Sequence, residues 1–343
     1  MRATTIQPPL REKRARRMYG GPSYTHLSRT DWDARVRLAD EHARACALCP
    51  RRCGVNRLKG ETGFCGAGAR PRVSSIFAHH GEEPPLSGTG GSGTVFFSCC
   101  TLQCVFCQNY QISHERHGEA YPAADLARHM LRLQEGGCHN VNLVTPAHFI
   151  PWILRAIRTA AREGLQLPIV YNCGGYELVQ TLALLEGIVD IYLPDMKYGD
   201  NDAASRYSGA ADYVEVNRAA ITEMFRQAGP LKTDKRGVAE RGLIIRHLVL
   251  PNGEAGSRHI RDFLKAHFDP EDISMSVMAQ YRPLYRAAGH ERISRPVHPA
   301  EYQAVRDAFV RDGFGGFYQE IDRLNGAFVI NFEHQKHGSL NGE

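Results

Sequence analysis

Four cysteines fall within nine residues in the stretch SCCTLQCVFCQNYQ, residues 98–111, at positions 99, 100, 104 and 107. Crowded thiols of this kind suit four chemistries: disulfides, zinc, an iron–sulfur cluster or a nucleophile. A second group, Cys46-x2-Cys49-x3-Cys53-x11-Cys65, supplies four more. The chain has ten cysteines in all, and only Cys138 and Cys173 stand apart. The N-terminus, MRATTIQPPLREKRARRMYGG, has no apolar stretch of the secretory kind. A reducing, cytoplasmic location is therefore expected, where clustered cysteines bind metal or do chemistry more often than they pair.

The spacing Cys100-x3-Cys104-x2-Cys107 places three thiols on one tight loop, enough for three irons of a cubane and one short of the usual four ligands. A structural zinc would want a closed tetrahedral set, and Cys99 is a poor fourth because adjacent cysteines seldom face one metal. The first group is a complete tetrahedral set, which suits either zinc or an auxiliary iron–sulfur cluster. Its surroundings, rich in Gly and basic residues, bury little apolar surface, so a metal staple is expected there. No G-x-S-x-G elbow supports a hydrolase triad. GTGGSG, residues 88–93, contains G-x-G-x-x-G but precedes a strand where a dinucleotide loop would follow one, so it reads as a flexible loop.

The elements that must position these residues alternate. Strands are expected at 94–98, 140–145, 167–172, 189–198, 242–251 and 273–281. Helices are expected at 125–137, 151–164, 177–187, 213–229, 256–268 and 299–314, with a shorter one at 32–45. Val/Ile/Leu-rich strands alternating with helices imply βαβ units on a parallel sheet, either open or an incomplete barrel. In the barrel form, functional residues sit at the C-terminal strand ends. Those ends carry Cys100, Thr145, 172–175, 195–197, Arg246 with His247, and Gln280 with Tyr281. The expected division is an arm and short helix (1–40), a Cys-rich module (41–75), a core (76–290) and a helical extension (291–343). The chain of 343 residues is 43% hydrophobic with a formal net charge of +5, spread along its length. Neither nucleic acid nor membrane is an expected partner.

CTLQCVFCQN resembles the C-x3-C-x-aromatic-C signature of the radical SAM superfamily, with Phe106 as the aromatic. MYGGPSYTHLSR, CALCPRRCGVNRLKGETGFC, HHGEEPPLSGTGGSGTVFFS and RGLIIRHLVLPN are similar to its pyruvate formate-lyase activating enzyme-like (PflX-type) branch. The resemblance implies a partial (βα)6 TIM-like barrel with a Cys-rich N-terminal module. It implies a [4Fe–4S] cluster on Cys100, Cys104 and Cys107, with an open iron that chelates S-adenosylmethionine (SAM). Reductive cleavage of SAM to a 5′-deoxyadenosyl radical is the implied reaction, with a flavodoxin or ferredoxin as electron donor. By the same carry-over Phe106 abuts the adenine, residues Asn172, Gly174 and Gly175 contact SAM, and Asp195, Lys197 and Arg246 lie beside it. Thr145 and His148, in TPAHF, are weaker candidates, since the branch's usual GGE-type contact to the SAM amino group is missing there. Cys99 stands where the superfamily commonly has glycine. Three uses of the chemistry stay open: activation of a glycyl radical enzyme, modification of another peptide or small molecule, or no catalysis at all in a structural metal-binding protein.

Overall fold

The computed structural model describes residues 21–321, 330 and 332; the basic arm expected at the N-terminus lies largely outside them. Ten strands form one sheet among the described residues: β1 Arg72–His79, β2 Ser92–Phe97, β3 Glu119–Ala120, β4 Val141–Val144, β5 Ile169–Cys173, β6 Ile191–Pro194, β7 Lys232–Thr233, β8 Ala239–Leu248, β9 Ser274–Met278 and β10 Gly315–Tyr318. Their order is β10-β9-β8-β6-β5-β4-β2-β1-β3, with β7 paired to β8. From β10 to β2 every neighbouring pair is parallel, whereas β1 runs antiparallel to both β2 and β3. The result is a mixed α/β fold around a central parallel sheet.

β2, β4, β5 and β6 are buried at every position, as an apolar run in a parallel sheet should be. The crossover helices cover the sheet. In Ile150–Arg162, Ile153, Leu154, Ile157 and Ala160 form the buried stripe, spaced three and four residues apart. Helix Arg29–Arg44 docks on that helix through Arg155–Asp40 (2.5 Å) and Arg158–Asp33 (2.7 Å). A capping box starts it: Ser28 Oγ accepts from the Asp31 amide, and Asp31 accepts from the Ser28 amide.

The expected strands and helices of the βα units are all present, with shifted ends. The expected division does not follow the sheet. Its boundary at 75/76 falls inside β1, and the segment from 291 holds β10 as well as helix Pro299–Arg311. β10 reads as Gly-Gly-Phe-Tyr, a poor strand by propensity. Glycine is required there by close approach: a Cβ on Gly316 would stand 2.0 Å from the Met275 carbonyl oxygen of β9. GTGGSG runs into β2, whose first two residues are its Ser92 and Gly93, and it is a packed crossing, since a Cβ on Gly90 would lie 2.1 Å from the Gly137 carbonyl.

β2 and β8 are four strand spacings apart in the sheet order, about 19 Å if flat. Yet the segment that leads from β1 to β2 reaches β8: Arg246 binds Glu82 and Glu83. Leu86, four residues after Glu82, packs on Val170, Ile191, Leu193 and Ile244 of β5, β6 and β8. Residues 82–87 thus lie across one face of the sheet.

Candidate functional site

A cavity of about 540 Å³ opens at the C-terminal edge of the parallel strands. Every parallel strand or the residues just after it contribute to its lining, from Phe96 and Val144 to Asn172, Asp195, Arg246, Met278 and Phe317. Cys100, Cys104 and Cys107 all face it, on the loop directly after β2.

That loop is bent by two residues with left-handed backbones, Cys99 (φ 73°) and Gln103 (φ 53°). The first packs Cys99 into the main core, where it is 2% exposed and borders the cavity from behind the loop. It also explains why glycine suits this position, because glycine alone adopts such a φ without strain. Each of the three following sulfurs receives a hydrogen bond: Cys100 from the Leu102 amide (3.4 Å), Cys104 from Ser208 Oγ (3.0 Å) and Cys107 from Ser113 Oγ (3.2 Å). Donors aimed at sulfur stabilise thiolate ligands. Burial pushes the thiols of Cys100 and Cys107 up to about 12 and about 11, and repulsion from neighbouring thiols adds to it. Ionising the set together calls for a cation among them, so the donors fit an iron–sulfur cluster. Among the described residues no three or more His, Cys, Asp or Glu side chains are grouped closely enough to hold a metal ion, either on this loop or at Cys46, Cys49, Cys53 and Cys65.

Phe106 is 4% exposed and meets Tyr198, Tyr207 and Tyr281 edge-on at 5.7–6.4 Å, with part of its surface on the cavity. Asn172 and Gly174 line the cavity; Gly175 lies behind them. A Cβ on Gly175 (φ 73°) would stand 2.1 Å from the Asp195 carbonyl, so its role is close packing. Lys197 Nζ donates to Asp195 Oδ2 at 2.5 Å. Burial opposes its charge, but Asp195 and the sulfurs of Cys104 and Cys107 outweigh that and raise its pKa above that of an ordinary lysine. His247, buried behind it, donates from Nδ1 to the Met196 carbonyl (2.7 Å) and bonds Ser257 Oγ through Nε2 (2.8 Å), which fixes the segment between Asp195 and Lys197. Burial holds its pKa down at about 4, so it is neutral.

Arg246 lines the cavity, but its guanidinium is committed to Glu82 and Glu83, the latter at 2.7 Å. Thr145 (φ 58°) faces the cavity; His148 does not, and instead donates from Nε2 to the Ser98 carbonyl at 2.9 Å, holding the end of β2. Cys173 lines the cavity and Cys138 is core. Sequence reasoning passed over Glu82, Glu83 and Glu177. Glu177 is buried on the cavity wall, accepts from Tyr171 OH at 3.0 Å, and is pushed up to about 8 by burial. The adjacent acids in GEEPPLS were a signal, because charges so close to an apolar turn need a partner.

In the first cysteine group, Cys46, Cys49 and Cys65 are buried and Cys53 half-buried. The Cys46 amide bonds the Val55 carbonyl (2.8 Å) and the Gly54 amide returns to Cys46 O (3.1 Å), so the segment doubles back on itself. It has its own small apolar cluster, Ala43, Cys46 and Leu48 with Val55 and Leu58. Buried Arg57 ties it to the body by donating to the carbonyls of Gly68 (2.9 Å) and His148 (3.1 Å). A metal is therefore not its sole means of support. Burial and mutual repulsion raise the Cys49 thiol, so it keeps its proton unless a cation displaces it.

Fold and site together define an α/β protein with a thiol-lined cavity at the C-terminal edge of its parallel strands. The chain is 32% identical over 271 residues to the uncharacterized protein MJ0674 of Methanocaldococcus jannaschii, covering 77% of this chain and 73% of that protein. It belongs to the family of that archaeal protein. No family model matches the chain. A crystal structure of a radical SAM methyltransferase from Sphaerobacter thermophilus superposes with a TM-score of 0.43 at 13% identity, over 66% of this chain. The chain spans 65% of that structure's length. Among the described residues no helix is long and apolar enough to cross a membrane.

Proposed function

We propose that this protein is a radical SAM enzyme whose cluster is held by Cys100, Cys104 and Cys107. The observation that carries the reading is that these three thiols line one cavity from the loop after β2, each with its own hydrogen-bond donor and with Phe106 between the last two. Cys100, Cys104 and Cys107 would hold a [4Fe–4S] cluster, which when bound would supply the electron for reductive cleavage of SAM. Lys197 offers an ammonium to the SAM carboxylate, a compact cation for an anion. Asp195 holds that ammonium in place. Asn172 and Gly174 present polar backbone and amide groups to the ligand, and Phe106 offers its ring to the adenine. Arg246 sets the floor of the cavity through Glu82 and Glu83. The sheet of six βα units would serve as the partial barrel that encloses the ligand and keeps water out.

An external one-electron donor such as a flavodoxin or ferredoxin is part of the reading. The hydrogen donor, whether a glycyl radical enzyme, another peptide or a small molecule, is the remaining step. The cysteines at 46, 49, 53 and 65 are read as a second metal site, zinc or iron–sulfur. The test is anaerobic reconstitution with iron and sulfide, reduction with dithionite, addition of SAM and quantification of 5′-deoxyadenosine. Wild type should form it and Cys104→Ala should not. Bound zinc with no iron and no product would make the loop structural and the protein non-catalytic.

A further inference from the structure

We infer that Arg51 is the positioning residue of the 100–107 loop, clamping it from the first cysteine segment. This rests on the radical SAM reading for its consequence, but the contacts stand by themselves. Arg51 lies between Cys49 and Cys53. Its Nε donates to the Thr101 carbonyl at 3.0 Å, inside the Cys100-x3-Cys104 turn. Its Nη2 donates to the Ser208 carbonyl at 2.8 Å, and Nη1 to that of Gly209. The same guanidinium lies 3.9 Å from the ring centroid of Phe64 and 5.3 Å from that of Tyr176.

Each acceptor matters to a sulfur. Thr101 follows Cys100 directly. Ser208 ends helix Asn201–Ser208, where carbonyls have no partner within the helix, and its hydroxyl donates to Cys104 Sγ at 3.0 Å. One planar group therefore fixes the backbone beside Cys100 and the donor to Cys104. A second strut returns from the turn: Gln103 Nε2 donates to the Phe64 carbonyl at 3.0 Å, one residue before Cys65. The turn it spans carries the left-handed Gln103 and is held from outside by these two contacts. A lysine cannot replace the arginine, because a single ammonium lacks the rigid fork and the flat face.

The chain thus links its two cysteine groups mechanically. Outer partners of a metal site are commonly worth ten- to a hundredfold in retention. Arg51→Lys and Gln103→Ala are each compared with wild type and with Arg52→Ala, an exposed neighbour. Two readouts are taken: hydrogen exchange of amides 100–109 in the protein without iron, and the rate at which a ferrous chelator strips the reconstituted protein. Arg51→Lys should exchange faster in that window and lose iron about tenfold faster, with an altered electron paramagnetic resonance signal of the reduced cluster. Gln103→Ala should follow in the same direction, and Arg52→Ala should match wild type. If Arg51→Lys fails to fold, Gln103→Ala decides. Wild-type exchange and wild-type iron loss in both variants would overturn the clamp. Wild type that takes up no iron sinks the radical SAM reading instead, and the exchange measurement still decides the clamp.

Discussion

Glu177 shows how one residue can carry a pH dependence that no motif announces. Its carboxyl is fully buried beside Tyr171, so burial lifts its pKa from 4.5 to about 8. A carboxyl raised on folding keeps its proton in the folded state while the unfolded chain gives it up. Below about pH 4.5 both states are protonated and nothing is lost. Between about 4.5 and 8 stability falls with rising pH by up to about 1.4 kcal/mol per unit, and above 8 the loss is complete. Glu177→Gln keeps an acceptor for Tyr171 and removes the titration. The variant should therefore gain stability over wild type as pH rises from 5 to 8, read from urea midpoints at the two values. An unchanged difference between the two proteins would mean that Glu177 is ionised in the folded state. Cys99 makes a second prediction at this scale. Its side chain turns into the core, so Cys99→Gly should relieve backbone strain, keep full iron content and change stability by no more than about 1 kcal/mol. Loss of iron in that variant would make Cys99 a ligand.

At the scale of elements, local signals and long-range ones separate. The strand–helix alternation was readable because buried parallel strands are continuous apolar runs and the helices carry period-3.6 stripes. Cys100, Cys104 and Cys107 stood out as a group by their spacing, the aromatic Phe106 and their place after the first strand, and the structure lines one cavity with them. β1 and β10 were not readable. β1 ends next to charged and glycine-rich sequence, and β10 opens with two glycines, so each depends on a partner strand that is distant in sequence. Gly175 illustrates the same limit: it was expected to touch the cofactor, while its need for glycine arises from the Asp195 backbone pressed against it. A methyl at this position has nowhere to go. Gly175→Ala should displace the segment carrying Asp195 and Lys197 and weaken SAM binding at least tenfold in equilibrium dialysis, with a cooperative melt retained. Wild-type affinity would mean that this segment does not set the SAM site.

For the whole molecule the decisive feature is the charged group on one face of the sheet. Glu82 and Glu83 come from the segment after β1, Arg246 from β8, and Asn142 of β4 donates to Glu82 Oε1 at 2.9 Å. One guanidinium thus holds two buried carboxylates and bridges opposite parts of the sheet. Burial alone would raise the Glu83 pKa, but Arg246 overcomes it and holds the carboxyl below the ordinary range. Breaking such a group by removing one partner costs more than never having it, because a charge is left buried without compensation. Arg246→Met keeps most of the volume and removes the charge. At pH 8 it should lose about 3–5 kcal/mol, the usual size for an orphaned buried partner. At pH 5 the loss should be smaller, since one freed carboxyl can take up a proton and become neutral. Adding Glu83→Gln should recover part of the pH 8 loss and none of the single-variant costs should add. The four proteins of this cycle, unfolded in urea at both pH values, decide whether this group fastens the sheet. Additive losses with no pH dependence would reduce Arg246 to a side chain that lines the cavity without holding its floor.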